Sequence, residues 1–263
     1  MDLQLKDKRA LVVGASRGLG YATALTLARE GCIVAVNSRE KHRIKAAAEA
    51  IAEETGSQAH GFAADVTGVA AADELMTQVV EALGGLDILI TNAGGPPAGS
   101  FEAFDEVAWQ VAVNTSFMSH VRLIRAALPH LRDSSSASVL TVTSYAVKQP
   151  LANLVLSNSV RAATVGLTKS LALDLGKEGI RFNTILPGWT MTERVQELMA
   201  FRAKNHGTKV EEEIEKQTAE IPLGRMGQPQ EFANAAVFLV SPAASFIHGV
   251  ALAVDGGIIK AAL

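Results

Sequence analysis

The sequence predicts an α/β fold: one domain holding a mostly parallel, seven-stranded sheet, doubly wound with helices on both faces. Short apolar runs alternate with longer segments of helical period along the whole chain, which is how parallel strands and their crossover helices are written in sequence. A glycine-rich turn, VVGASRGLG, joins the first apolar run to the first helical segment. No linker or internal repeat interrupts the alternation, so residues 1–263 read as a single domain.

The elements follow in order. ALVV at 10–13 is the first strand, and the segment 19–30 after the glycine turn is the first helix. IVAVN at 33–37 and AHGFA at 59–63 are the second and third strands, separated by an amphipathic helix at 39–54. A helix at 70–83 leads to LDILIT at 86–91, and a long helical segment at 106–132 leads to VLTVT at 139–143. The next helix, 153–175, repeats apolar contacts at Val160, Thr164, Leu167, Leu171 and Leu175, a 3.6-residue period. IRFNTIL at 180–186, a helix at 230–239 and LAVD at 252–255 complete the alternation. Only the stretch after Leu186 breaks the rhythm; its polar, helix-forming residues predict two short helices, a lid at about 189–221 over the sheet's edge.

Composition narrows the function. Hydrophobic residues are 48% and charged residues 19% of the chain, enough for a core and unlike a disordered protein. A net charge of −3 gives no electrostatic reason to expect nucleic acid or an anionic membrane as partner. No apolar stretch approaches the ~18 residues of a membrane span. The charged N-terminus runs straight into structure, unlike a signal peptide, and Cys32 is the single cysteine, so a cytoplasmic protein without an internal disulfide is expected. The six histidines show no metal-ligand spacing, and no metal is expected.

The glycine turn is the first chemical signal. Gly14, Gly18 and Gly20, with Ser16 and Leu19 between them, let the backbone turn sharply and approach a phosphate at a helix N-terminus, the cradle of a Rossmann-type dinucleotide site. The same residues spell GxSxG, the nucleophile elbow of α/β hydrolases; Ser16 would then need an acid and a base such as Asp174 and His248. Against that remote alternative, the turn follows the first strand, and Gly20 has no role in an elbow. At the end of the second strand stand Asn37, Ser38 and Arg39, where an NAD enzyme places an acid. Arg39, with Arg17 as a second cation, suits a 2′-phosphate, so NADP(H) is preferred, with NAD(H) possible.

These residues resemble the short-chain dehydrogenase/reductase family, over nearly the whole chain. GASRGLG is similar to the family's cofactor loop, Asp65 with Val66 in AADV to the acid beside the adenine, and Asn92-Ala93-Gly94 to its NAG motif. Asn114 in VAVNTSF resembles the asparagine that holds a water in the proton relay, and Ser144 in TVTSYA the serine that orients the substrate carbonyl. Pro187-Gly188, with Thr190 and Thr192, resembles the segment that closes on the nicotinamide and phosphates. The C-terminal stretch PLGRMGQPQEFANAAVFLV is similar to that of bacterial β-ketoacyl-carrier-protein reductases. The resemblance implies a carbonyl/alcohol oxidoreductase of small molecules, such as 3-oxoacyl thioesters or other ketones, and a homotetramer built partly on the helices at 106–132 and 153–175.

One element departs. Where the family has Tyr-x-x-x-Lys, thirteen residues after the serine, this chain has Ser157 and Arg161. A phenol starts near pKa 10 and can be tuned, whereas an aliphatic hydroxyl is a far weaker acid, and Ser157 is about 4 Å shorter. Arg161 keeps the positive charge and can bind the cofactor by donating to its ribose hydroxyls, but it will not shuttle a proton at neutral pH. Three accounts are open: a water near Ser157, held by Asn114 and polarised by Arg161, carries the proton; Tyr145 supplies the phenol; or the protein binds NADP(H) without turnover, as a sensor or structural subunit.

Overall fold

The computed structural model describes residues 1–262. Seven strands form one sheet: β1 (Arg9–Val13), β2 (Ile33–Ser38), β3 (Ala59–Ala63), β4 (Ile88–Asn92), β5 (Ser138–Val142), β6 (Arg181–Pro187) and β7 (Ala251–Val254). Their order is β3-β2-β1-β4-β5-β6-β7, and every pairing is parallel. The winding reverses between β1 and β4, the switch point beside which open α/β sheets bind their ligands.

Nine α-helices are described: α1 (Gly18–Arg29), α2 (Lys41–Thr55), α3 (Ala71–Leu83), α4 (Glu106–Val113), α5 (Ser119–Arg132), α6 (Val155–Leu175), α7 (Glu193–His206), α8 (Val210–Thr218) and α9 (Pro229–Val240). Strand alternation decides which helix covers which face. Ala10, Val12, Val34 and Val36 point to the face covered by Leu27 of α1, Ile44 and Ile51 of α2 and Phe232 of α9. Leu11, Val13 and Ala35 point the other way, toward α3, α5 and Ala172 of α6. Both faces of the sheet are thereby buried, which is why its strands read as nearly continuous apolar runs. One cluster of polar side chains inside this core is paired: Thr141 shares its hydroxyl with Thr168 and Thr184, each at 2.9 Å.

The predicted strands and helices match to within about two residues at each boundary. One correction is needed. The segment 106–132 is not one regular helix: α4 and α5 are joined by a π-helical turn at Asn114–Met118, in which Ser119 N–H donates to the Asn114 carbonyl. The predicted short helices after Leu186 are α7 and α8. Thr192 caps α7 by accepting from Val195 N at 3.4 Å, and Gly207 ends it in the left-handed conformation, φ 66°. Their apolar side packs as a separate cluster, Tyr145, Met199, Ile221, Met226 and Ile258, at the carboxyl edge of the sheet.

Candidate active site

The glycine loop leaves β1 and opens α1 beside the ends of β2 and β4; Ala15 N donates to Asn37 O at 2.9 Å. Gly14 has φ 68°, and a side chain there would strike the Asn92 amide at 2.9 Å. A Cβ at Gly20 would collide with the Gly14 carbonyl, so the helix starts directly against the turn. Leu19 anchors the loop by packing on the core, and Thr192 at the start of α7 lies 3.5 Å from where a Gly18 side chain would begin. The loop and the start of α7 therefore face one another across the crevice.

At the end of β2 the three expected side chains behave differently. Asn37 is buried, and its amide donates to Phe62 O at 3.0 Å and Ala64 O at 3.3 Å, lacing β2 to β3. Both of its amide hydrogens are thereby spent on backbone carbonyls. Ser38 Oγ is buried without a hydrogen-bond partner, and Arg39 beside it is exposed. Arg17, expected as the second phosphate cation, lies at the mouth of the loop and is paired across the crevice. Its guanidinium donates to Glu193 at 3.2 Å and Glu197 at 3.0 Å, both on α7, because the loop and the lid face each other. Asp65 is exposed, its Oδ1 accepting from Thr67 N and Oγ1, while Val66 packs against the core.

Beyond β4, Gly94 O accepts from Ser116 Oγ at 3.1 Å, and Ala93 O accepts from Arg161 Nη2 at 3.4 Å. Arg161 Nη1 also donates to Thr143 O at 2.9 Å, tying α6 to the end of β5. Both Arg161 and Ser157, one turn apart on α6, are only 9% exposed. Burial, and then the charge of Arg194, lower the Arg161 pKa to about 10, so it stays protonated at neutral pH. His120 is neutral beneath it, its pKa pushed to about 3 by burial and then by Arg161; its Nδ1 meets Thr91 Oγ1 at 2.7 Å.

Ser144 accepts from Ala146 N at 3.2 Å and so keeps its own hydrogen to donate. The Asn114 side chain is held on both sides: its Nδ2 donates to Thr67 O at 3.1 Å and its Oδ1 accepts from Arg122 at 2.7 Å, which braces the π-turn. Tyr145 is buried in the lid cluster and accepts from Trp189 Nε1 at 3.0 Å; burial raises its pKa. Lys148 is exposed while Tyr145 is buried, so the two form no dyad. After β6, Pro187 and Gly188 lead to Thr190, which is buried, and to Thr192.

The serine-hydrolase alternative is overturned. Ser16 lies beyond the carboxyl end of β1, whereas both ring nitrogens of His248 are spent on backbone, Ala172 O at 2.7 Å and Phe182 N at 3.1 Å. Phe182 is the second residue of β6, at the amino edge of a parallel sheet and so opposite the carboxyl end of β1. Among the described residues no group of three or more His, Cys, Asp or Glu side chains converges as a metal site would require. No helix among them is long and apolar enough to cross a membrane.

A family model described as Enoyl-(Acyl carrier protein) reductase matches residues 14–259. The 7alpha-hydroxysteroid dehydrogenase of Escherichia coli K12 is 32% identical over 258 residues, 97% of this chain and 96% of that protein. The chain belongs to the short-chain dehydrogenase/reductase family. Within that oxidoreductase family it is also 35% identical over 259 residues to the 3-oxoacyl-(acyl-carrier-protein) reductase FabG of Staphylococcus aureus, covering 95% of this chain and 97% of that one. Among solved structures, L-sorbose reductase from Gluconobacter frateurii, complexed with NADPH and L-sorbose, superposes with a TM-score of 0.96 at 30% identity, covering 99% and 100% of the two chains. For a short-chain dehydrogenase/reductase, two residues at this crevice carry no motif and escape sequence reading: Gly95, and Arg194 in the first turn of α7. The sequence offers only an arginine six residues beyond Gly188 in the first turn of a helix, and a second glycine after Gly94.

Proposed function

We propose that this protein is an NADP(H)-dependent oxidoreductase that interconverts a carbonyl and a secondary alcohol on a small molecule with an atypical proton donor. The NADPH-bound neighbour and the unpartnered Ser38 Oγ beside Arg39 both support the cofactor: a 2′-phosphate supplies the acceptor that a buried hydroxyl lacks. When bound, the nicotinamide supplies or accepts the hydride. The backbone at Gly14, Gly18 and Gly20 receives the phosphates at the start of α1. Asn92, Ala93 and Gly94 line the nicotinamide side, and Thr190 and Thr192 close from the lid.

The observation that carries the reading is the Arg161–Thr143 bond of 2.9 Å. It holds the face of α6 that bears Ser157 against the segment of Ser144, in the crevice the glycine loop enters. There Ser144 donates to the substrate oxygen and Arg161 supplies fixed positive charge where negative charge develops. The hydroxyl proton passes through a water beside Ser157, in the space a phenol would fill. The Asn114 side chain is committed elsewhere, so its part is to hold the π-turn in shape. Exposed Val107 and Val111 on α4 and Leu173 on α6 support assembly into a homotetramer through these helices.

The test is NADPH consumption against a panel of ketones and oxo acids, with NADPH affinity measured in parallel. Turnover that falls at least about 100-fold in Ser144→Ala, with NADPH affinity kept, supports the proposal. NADPH binding with no turnover on any substrate would make the chain a nucleotide sensor or structural subunit. Absence of nucleotide binding would remove both readings.

A further inference from the structure

Two arginines that lack acids meet over one glycine. A Cβ at Gly95 would stand 3.4 Å from Arg161 Nη2 and 3.5 Å from Arg194 Nη2, which places the two nitrogens within about 7 Å of each other. Arg161 is buried and bonded only to two carbonyl oxygens; Arg194 makes no hydrogen bond or ion pair among the described residues. The carboxylates of α7 are turned away, since Glu193 and Glu197 hold Arg17. Like charges this close repel, and a buried guanidinium without an acid is poorly compensated by carbonyls alone. A carboxylate accepting a charge-assisted bond of about 2.8 Å from each side spans the gap.

We propose that Arg161, Arg194 and the bare backbone of Gly95 form a recognition site for a carboxylate on the substrate, so that the protein acts on oxo acids and their hydroxy-acid counterparts and discriminates against neutral ketones. This rests on the oxidoreductase reading above and names its substrate class. Gly95 matters because a methyl there would stand between the two guanidinium groups; its φ lies outside the left-handed range, so alanine fits the backbone. A phosphate of the nucleotide carries the same kind of charge, and the experiment separates the two sources.

NADP+ is titrated calorimetrically first. Failure to bind brings down the oxidoreductase reading, and this proposal with it. Oxalate is then titrated into the NADP+-saturated protein, with oxamide as the neutral control. The expected result is that oxalate binds and oxamide does not, and that Arg194→Gln and Gly95→Ala each weaken oxalate at least roughly 10-fold while moving the NADP+ Kd by less than about 3-fold. With NADP+ bound normally, three results overturn the proposal and leave the oxidoreductase reading intact. They are no oxalate binding to the saturated protein, competition between oxalate and NADP+, or an equal loss of NADP+ affinity in Arg194→Gln, which would assign both arginines to the nucleotide's phosphates.

Discussion

Arg17 of the glycine loop and Glu197 of α7 are joined at 3.0 Å, so the glycine turn and the helix that follows β6 are held by one guanidinium. Glu193 adds a second bond at 3.2 Å. Both carboxylates are well exposed, so the clasp is one that salt and solvent loosen. Glu193→Gln with Glu197→Gln releases Arg17 toward the phosphates. NADPH affinity at low salt is expected to rise about 2- to 5-fold, the scale of an exposed ion pair. Fluorescence titration reads it, and an affinity that falls would mean that the clasp itself forms the binding surface.

Cofactor preference follows from the end of β2. Ser38→Asp with Arg39→Ala places an anion where a 2′-phosphate would sit and removes the cation beside it. NADPH affinity is expected to drop roughly 10- to 100-fold relative to NADH, the range of one charge-assisted bond. An unchanged ratio in competition binding would locate the phosphate elsewhere.

Restoring the family's pair gives the sharpest test of the proton route. Ser157→Tyr with Arg161→Lys supplies a tunable phenol, and turnover is expected to rise about 100-fold, the lower range of general acid–base catalysis. The pH profile should gain a limb below the phenol's ordinary pKa near 10. NADPH binding checks that the variant is folded. A folded variant with no gain would show that the water route is already efficient or that hydride transfer is not limiting.

Tyr145→Phe removes the acceptor of the Trp189 N–H, costing about 1 kcal/mol of stability and leaving turnover within about 3-fold. A phenol whose pKa is raised by burial is a weaker acid that keeps its proton at neutral pH, which argues for a wall rather than a proton carrier. Abolished turnover in a variant with wild-type melting would make Tyr145 the donor.

Acid sensitivity centres on Asp87, which accepts from Arg9 Nε at 2.8 Å, Arg9 Nη2 at 3.0 Å and Ser134 Oγ at 2.6 Å. Burial pushes this carboxyl up, but the bonds from Arg9 and Ser134 outweigh it and bring it down to about 2. The folded pKa lies below the unfolded value near 3.9, so the stabilisation is full above pH 4 and is lost as pH falls toward 2. Asp87→Asn should therefore lose about 2 kcal/mol in urea at pH 7, with the difference from wild type shrinking below pH 4. A difference that stays constant across that range would exclude the linkage.

The strands, the helices and the glycine loop were legible because each is fixed locally, by apolar period or by the space a backbone needs. The π-turn was not, because helical spacing continues through Asn114 and the extra residue leaves no mark in the pattern. Arg17 and Asn37 were read by their place in a motif, and the structure spends both on neighbours distant in sequence: Glu197 for one, Phe62 and Ala64 for the other. Arg194 and Gly95 escaped because they come together only when the lid folds back over the strand ends.

The lacing of β2 to β3 by Asn37 bears on how cofactor preference can change. An aspartate at 37 would turn an anion toward two carbonyl oxygens that now receive hydrogens, so the acid favoured by a ribose diol could enter there only by loosening an edge strand. Position 38, whose hydroxyl bonds to nothing, carries no such obligation. Of two adjacent codons, one is closed to that switch by the architecture and the other stands open.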